Sequence, residues 1–175
     1  MNDSTGAPPE FSRIVSTHRL HAQPATYKIA AKEEERAGLA NRFGLISLDR
    51  LEAEITLVRE NGEVRLDGVL EADLVQSCTV TLDPVPAKVG ERFTILYRPD
   101  IDEDEADRLA LDEPDEPLVE PLIGDAIDIG ETVAQQLAVA MDPYPRAAGV
   151  EAVEIEFAGE PADSPFGKLA AFKKQ

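Results

Sequence analysis

The 175 residues include 35 acidic and 17 basic side chains, for a formal net charge of −18 and a pI near 4.4. A field of that sign repels phosphate backbones and anionic lipid surfaces, which disfavours broad nucleic-acid binding, DNA included, and attracts cationic proteins. Apolar residues make up 43% of a chain long enough for one domain, aromatics only 5%, so a core of Leu, Val, Ile and Ala is expected, and the single cysteine excludes an intramolecular disulfide and fits a reducing compartment.

Residues 1–10 are small, polar and proline-containing. They read as a flexible leader without the basic and apolar runs of a signal peptide. No stretch has the apolar length needed to cross a bilayer, so the expectation is a cytoplasmic protein without a membrane partner. Residues 11–175 are expected to form a single domain. It opens with an apolar segment at Phe11–Val15, a short strand at Tyr27–Ala30 and a helix over Lys32–Phe43, with Gly44 placed to stop it.

Next, Leu51, Ala53, Ile55 and Leu57 alternate with Glu52, Glu54 and Thr56. Asn61-Gly62 intervenes, and Val64, Leu66, Leu70, Ala72 and Leu74 alternate with charged residues. This is the pattern of a β-hairpin. A two-residue Asn-Gly turn sets Glu60 opposite Glu63, and therefore Leu57 opposite Leu66 and Ala53 opposite Leu70. The other face, with Glu52 near Glu71 and Thr56 near Asp67, is expected to be wet.

Alternation returns at Val85–Val89 and Phe93–Tyr97. Between Asp100 and Pro121, Asp, Glu and Pro dominate and the apolar residues show no sustained period, which reads as a mobile acidic loop at 100–121. Asp128 stands as an N-cap with Glu131 three residues on, as in a capping box. It opens a helix with a buried stripe of Ile129, Val133, Leu137 and Met141, which Pro143 and Pro145 end. An edge strand at 153–157 and a terminal helix from Ser164-Pro165 complete the chain. The expected fold class is α+β, an antiparallel sheet, with closure into a barrel left open, packed by about three helices.

The chemistry-bearing patterns are thin. Asp100, Asp102 and Asp104 have the first three ligand spacings of a calcium loop, but Glu105 stands where glycine makes the turn and Leu111 where a bidentate carboxylate is required. His18 and His21, read as strand followed by loop, make a poor zinc set with one cysteine. Cys78 falls in phase with Leu74, Val80 and Leu82 on an apolar strand face, with no cation near it in sequence to lower its pKa, and is expected to be buried and inert. No phosphate loop, nucleophile elbow or H-E-x-x-H helix occurs. The expectation is a protein that binds rather than catalyses, with no metal and no cofactor.

The run Ser77-Cys78-Thr79-Val80-Thr81-Leu82-Asp83-Pro84-Val85 resembles the signature of the YceD family, whose bacterial and plastid members are described as large ribosomal RNA subunit accumulation proteins. Cys78, Leu82 and Pro84 carry that likeness as structural positions. Phe43-Gly44-Leu45, the Ile127–Glu131 stretch through Gln136-Leu137 to Pro143 and Pro145, and Ser164-Pro165-Phe166 with Leu169 are also similar to the family, over about 39–172. Where the family has arginine and a second cysteine, this chain has Val80 and Thr81, so no thiol-pair or metal role carries over. The resemblance implies a part in large-subunit (23S) rRNA accumulation and ribosome assembly, with a large-subunit precursor, its rRNA or its basic proteins, as partner.

A chain this acidic needs a local spot to meet RNA. Tyr144 and Arg146 after the long helix, and Lys168, Lys173 and Lys174 at the tail, are the candidates. In the alternative reading the protein escorts a basic ribosomal protein, which Asp102, Glu103, Asp104, Glu105 and Asp107 would contact in place of phosphates.

Overall fold

The computed structural model describes residues 9–112 and 116–150. Strand β1 (Ile14–Ser16) leads through a 3-10 turn at Thr17–Arg19 to strand β2 (Ala25–Ala30). Helix α1 (Glu33–Phe43) begins where the Lys32 N–H donates to the Glu35 carboxylate at 2.7 Å. Three glutamates fill its first turn, where the helix dipole favours negative charge, and Gly44 ends it in the left-handed conformation. Strands β3 (Ser47–Glu60), β4 (Glu63–Ser77) and β5 (Pro84–Arg98) form a long meander. Helix α2 (Glu103–Asp112), strands β6 (Leu118–Pro121) and β7 (Ala126–Asp128), and helix α3 (Ile129–Ala140) follow.

The fold is α+β. Five strands lie in the order β2-β3-β4-β5-β6, antiparallel except for the parallel pairing of β5 with β6, and β1 pairs separately with β7. The larger sheet is open, with β2 and β6 at its edges, and does not close into a barrel. Asn61 and Gly62 both have positive φ, 52° and 92°, as a two-residue hairpin turn matching strand twist demands. The register that follows sets Glu60 opposite Glu63, Leu57 opposite Leu66 and Ala53 opposite Leu70.

Because side chains alternate across a strand, this register puts the leucines and isoleucines of the hairpin's central part on one face. Leu51, Ile55, Leu57, Leu66, Leu70 and Leu74 are buried there together with Ile129, Val133 and Leu137 of α3. The Tyr97 hydroxyl, 2.9 Å from Thr132 Oγ1, ties α3 to β5 inside this core. A Cβ at Gly130 would come within 2.5 Å of the Phe11 carbonyl oxygen, so the start of α3 approaches the N-terminal segment closely because that side chain is missing. The opposite face is a lattice of ion pairs, among them Lys28–Glu54 at 2.9 Å and Arg50–Glu71 at 2.7 Å.

Four expectations are corrected. The acidic stretch 100–121 is not a loop throughout, because it contains α2 and β6. Asp102 Oδ1 accepts the Glu105 N–H at 2.9 Å, Glu103, Asp104 and Glu105 complement the helix N-terminus, and Ala106 and Leu109, at helical spacing, are buried and half-buried beneath the charges. Val80 and Leu82 do not share a strand face with Cys78: β4 stops at Ser77 and both side chains are exposed in the turn that follows. Asp128 caps α3 through bonds from the Gly130 and Glu131 N–H groups, but the Glu131 carboxylate completes no capping box, since it pairs with Arg42 at 2.7 Å. His18 lies in the 3-10 turn with Nε2 3.2 Å from Asp125. The leader through residue 8, the strand at 153–157 and the terminal helix lie outside the described residues.

Candidate partner-binding site

The turn between β4 and β5 is built from its own backbone. Leu82 N–H donates to the Cys78 carbonyl at 3.0 Å, and Cys78 N–H to the Asp83 carbonyl at 2.8 Å. A second segment, the one that leaves α3, is clasped against it. The Gln76 side-chain amide donates to the Asp142 carbonyl at 2.8 Å, Thr79 N–H to the Pro145 carbonyl at 2.9 Å, and Ala147 N–H to Cys78 Sγ at 3.4 Å. Tyr144 and Arg146, which flank Pro145, are thereby held next to the turn that carries Val80 and Leu82. Their backbone has nowhere else to go: Pro143 and Pro145 cannot continue a helix, and the Asp142 carboxylate accepts the Tyr144 N–H at 2.8 Å to start the turn.

Cys78 anchors this clasp from inside. It is fully buried, and its Sγ also accepts the Thr81 N–H at 3.4 Å. Hydrogen bonding from the Thr81 side chain, then from the backbone N–H groups of Ala147, Thr81 and Val80, outweighs the cost of burial and draws the thiol down to about 6. That shift comes from hydrogen bonds and from no charged group, and the burial of Cys78 agrees with what its neighbours in sequence suggest. Burial denies it an external electrophile or partner, so its work is internal: the sulfur accepts N–H groups from two segments. Among the described residues no three His, Cys, Asp or Glu side chains are grouped to hold a metal ion.

The outer surface of the clasp is apolar, aromatic and cationic. Val80, Leu82 and Tyr144 are 50%, 75% and 71% exposed. Leu82 holds the left-handed conformation at φ 65°, which costs a branched residue about 1–2 kcal/mol. Arg146 is exposed and has no ionic partner among the described residues, as is also true of Arg19, Arg92 and Arg108, whereas Arg13, Arg42, Arg50, Arg65 and Arg98 each lie within 3.0 Å of a carboxylate. A tyrosine ring and a guanidinium next to exposed aliphatic side chains make a surface on which an unpaired base stacks or an apolar protein contact seats, with the cation reaching a phosphate.

The remaining candidates divide by place. Asp102, Glu103, Asp104, Glu105 and Asp107 are all exposed at the start of α2, which packs on β6 next to Ile95–Arg98. The clasp adjoins Pro84 at the other end of β5, on the order of 35 Å away along the strand. Pro84 itself is exposed and pairs with Ser77. Lys168, Lys173 and Lys174 lie outside the described residues. Val80 as a surface residue was missed in the sequence, although Asp83-Pro84 and the polar residues Thr79 and Thr81 signal a turn there.

A family model described as large ribosomal RNA subunit accumulation protein YceD matches residues 66–173, more than half of the chain. The chain belongs to the YceD family. The match starts in β4, later than the likeness from residue 39 suggested, and takes in the whole clasp, Tyr144 and Arg146. Comparison with curated proteins and with solved structures returned no match. In this YceD chain Thr81 takes the place of the family's second cysteine and supplies two of the hydrogen bonds that hold the Cys78 sulfur.

Proposed function

We propose that the protein is a non-catalytic, cytoplasmic ribosome-biogenesis factor that supports accumulation of large-subunit rRNA by joining precursor particles through the clasp surface. One observation carries the reading: the family signature turn and the pair Tyr144 and Arg146, distant in sequence, are bonded into one exposed corner. The electrostatics agree with so small a contact. At a net charge of −18, with many cations spent on internal ion pairs, the general surface repels RNA and a local site has to do the binding.

Escort of a basic large-subunit protein is the second reading, favoured by an ordered α2 whose first-turn carboxylates all face solvent. Retrieval of the tagged chain from growing cells, with and without RNase, separates the two. The precursor reading expects large-subunit precursor rRNA to come with the chain, and its recovery to fall about tenfold for the Tyr144→Ala/Arg146→Ala pair, as loss of an aromatic and an arginine contact implies. A free basic protein recovered alone, at the same yield after RNase, would establish the escort and discard the precursor reading.

A further inference from the structure

Between α2, β6 and α3 runs a groove of about 330 Å³ that the clasp does not use. Its floor is apolar: Ala106 and Ala110 from α2, Leu118 from β6, and Ile123 from the loop that follows. Leu118 and Ile123 are 38% and 75% exposed, large side chains without cover among the described residues. The apolar strip extends along α3, where Val139, 81% exposed, stands one helical turn beyond the lining residue Gln135.

The rim has one sign. Glu103, Asp107 and Glu120 line the groove, and no Lys or Arg does. Glu120 is half-buried, has no cationic partner among the described residues, and burial pushes its carboxyl up. A cation brought to it would offset that desolvation. An apolar floor between carboxylates excludes RNA and lipid and selects a segment with aliphatic anchors on one side and lysine or arginine on the other.

We infer that this groove docks a basic amphipathic segment of a partner protein, with its apolar side chains against Ala110 and Ile123 and its cations against Glu103, Asp107 and Glu120. The inference rests on the ribosomal reading only for the source of that segment, since ribosomal precursors are rich in cationic proteins. It gives the acidic region a second contact, separate from the clasp.

The test uses the full chain and two labelled helical peptides of equal positive charge, one with leucine on its apolar face and one with serine. Binding through the groove makes the leucine peptide about tenfold tighter, which is the scale of burying one or two leucines. The exposed substitutions Ala110→Gln and Ile123→Ser, which leave the charge unchanged, each erase that preference while circular dichroism stays that of the parent. Equal affinity for the two peptides overturns the inference, as does a preference that survives both substitutions. A photo-crosslink from position 123 to residues 151–175 of the same molecule would also overturn it, by giving the groove to the chain itself. Precursor retrieval is read separately in the same variants. Retrieval lost in the parent with the leucine preference intact defeats the ribosomal reading and leaves the groove standing; the opposite pattern defeats the groove alone.

Discussion

Cys78 illustrates how a residue's chemistry depends on which backbone comes near it. In sequence it has apolar and hydroxyl neighbours, yet in the fold its sulfur collects N–H groups from its own turn and from Ala147. Its thiol is drawn from 9.0 to about 6, so the linkage sign is that of any acid favoured as its anion. The stabilisation is fully present above the unfolded value and is lost as pH falls through the folded one. Urea unfolding between pH 9 and pH 6 is therefore expected to show a decline in stability that Cys78→Ala lacks. Identical pH slopes in parent and variant would remove the thiolate from the clasp. Position 81 belongs to the same argument: the sequence shows only that a second cysteine is missing, and the structure shows the threonine bonded to the first.

At the scale of elements, Asp128 does more than cap a helix. Its carboxylate accepts the Arg13 N–H at 2.6 Å and the Ser12 hydroxyl as well as the Gly130 and Glu131 N–H groups, so it joins the N-terminal segment to α3. Asp128→Ala is expected to cost about 2–3 kcal/mol, more than a simple cap, with Asp128→Asn milder; the urea midpoint measures both, and an unchanged midpoint for the alanine would refute this bridging role. The cap and the hairpin were legible in the sequence because each is set by local chemistry: a carboxylate before an apolar stripe, and Asn-Gly between alternating runs. Helix α2 was not, because its one buried residue is the small Ala106, which hardly stands out among carboxylates. Strand β6 is only four residues long and owes its existence to the neighbouring β5, a tertiary cause that no local pattern records. The clasp was half legible. Tyr144 and Arg146 stood out as an aromatic and a cation in an acidic chain, but their meeting with the signature turn depends on bonds between residues more than sixty positions apart.

Across the whole molecule, charge decides what each surface does. The outer sheet face pairs most of its cations with its anions, the first-turn carboxylates of α2 have no cationic partner among the described residues, and the clasp presents Arg146 with exposed apolar and aromatic side chains. At a net charge of −18, the proposed contact with a polyanion falls to the clasp. The ratio of large- to small-subunit rRNA in cells depleted of the protein, and then resupplied with parent or variant, tests this most directly. The ratio is expected to fall on depletion and to recover with the parent chain, but not with an equally abundant, folded Tyr144→Ala/Arg146→Ala chain. Full recovery with that variant would contradict the account.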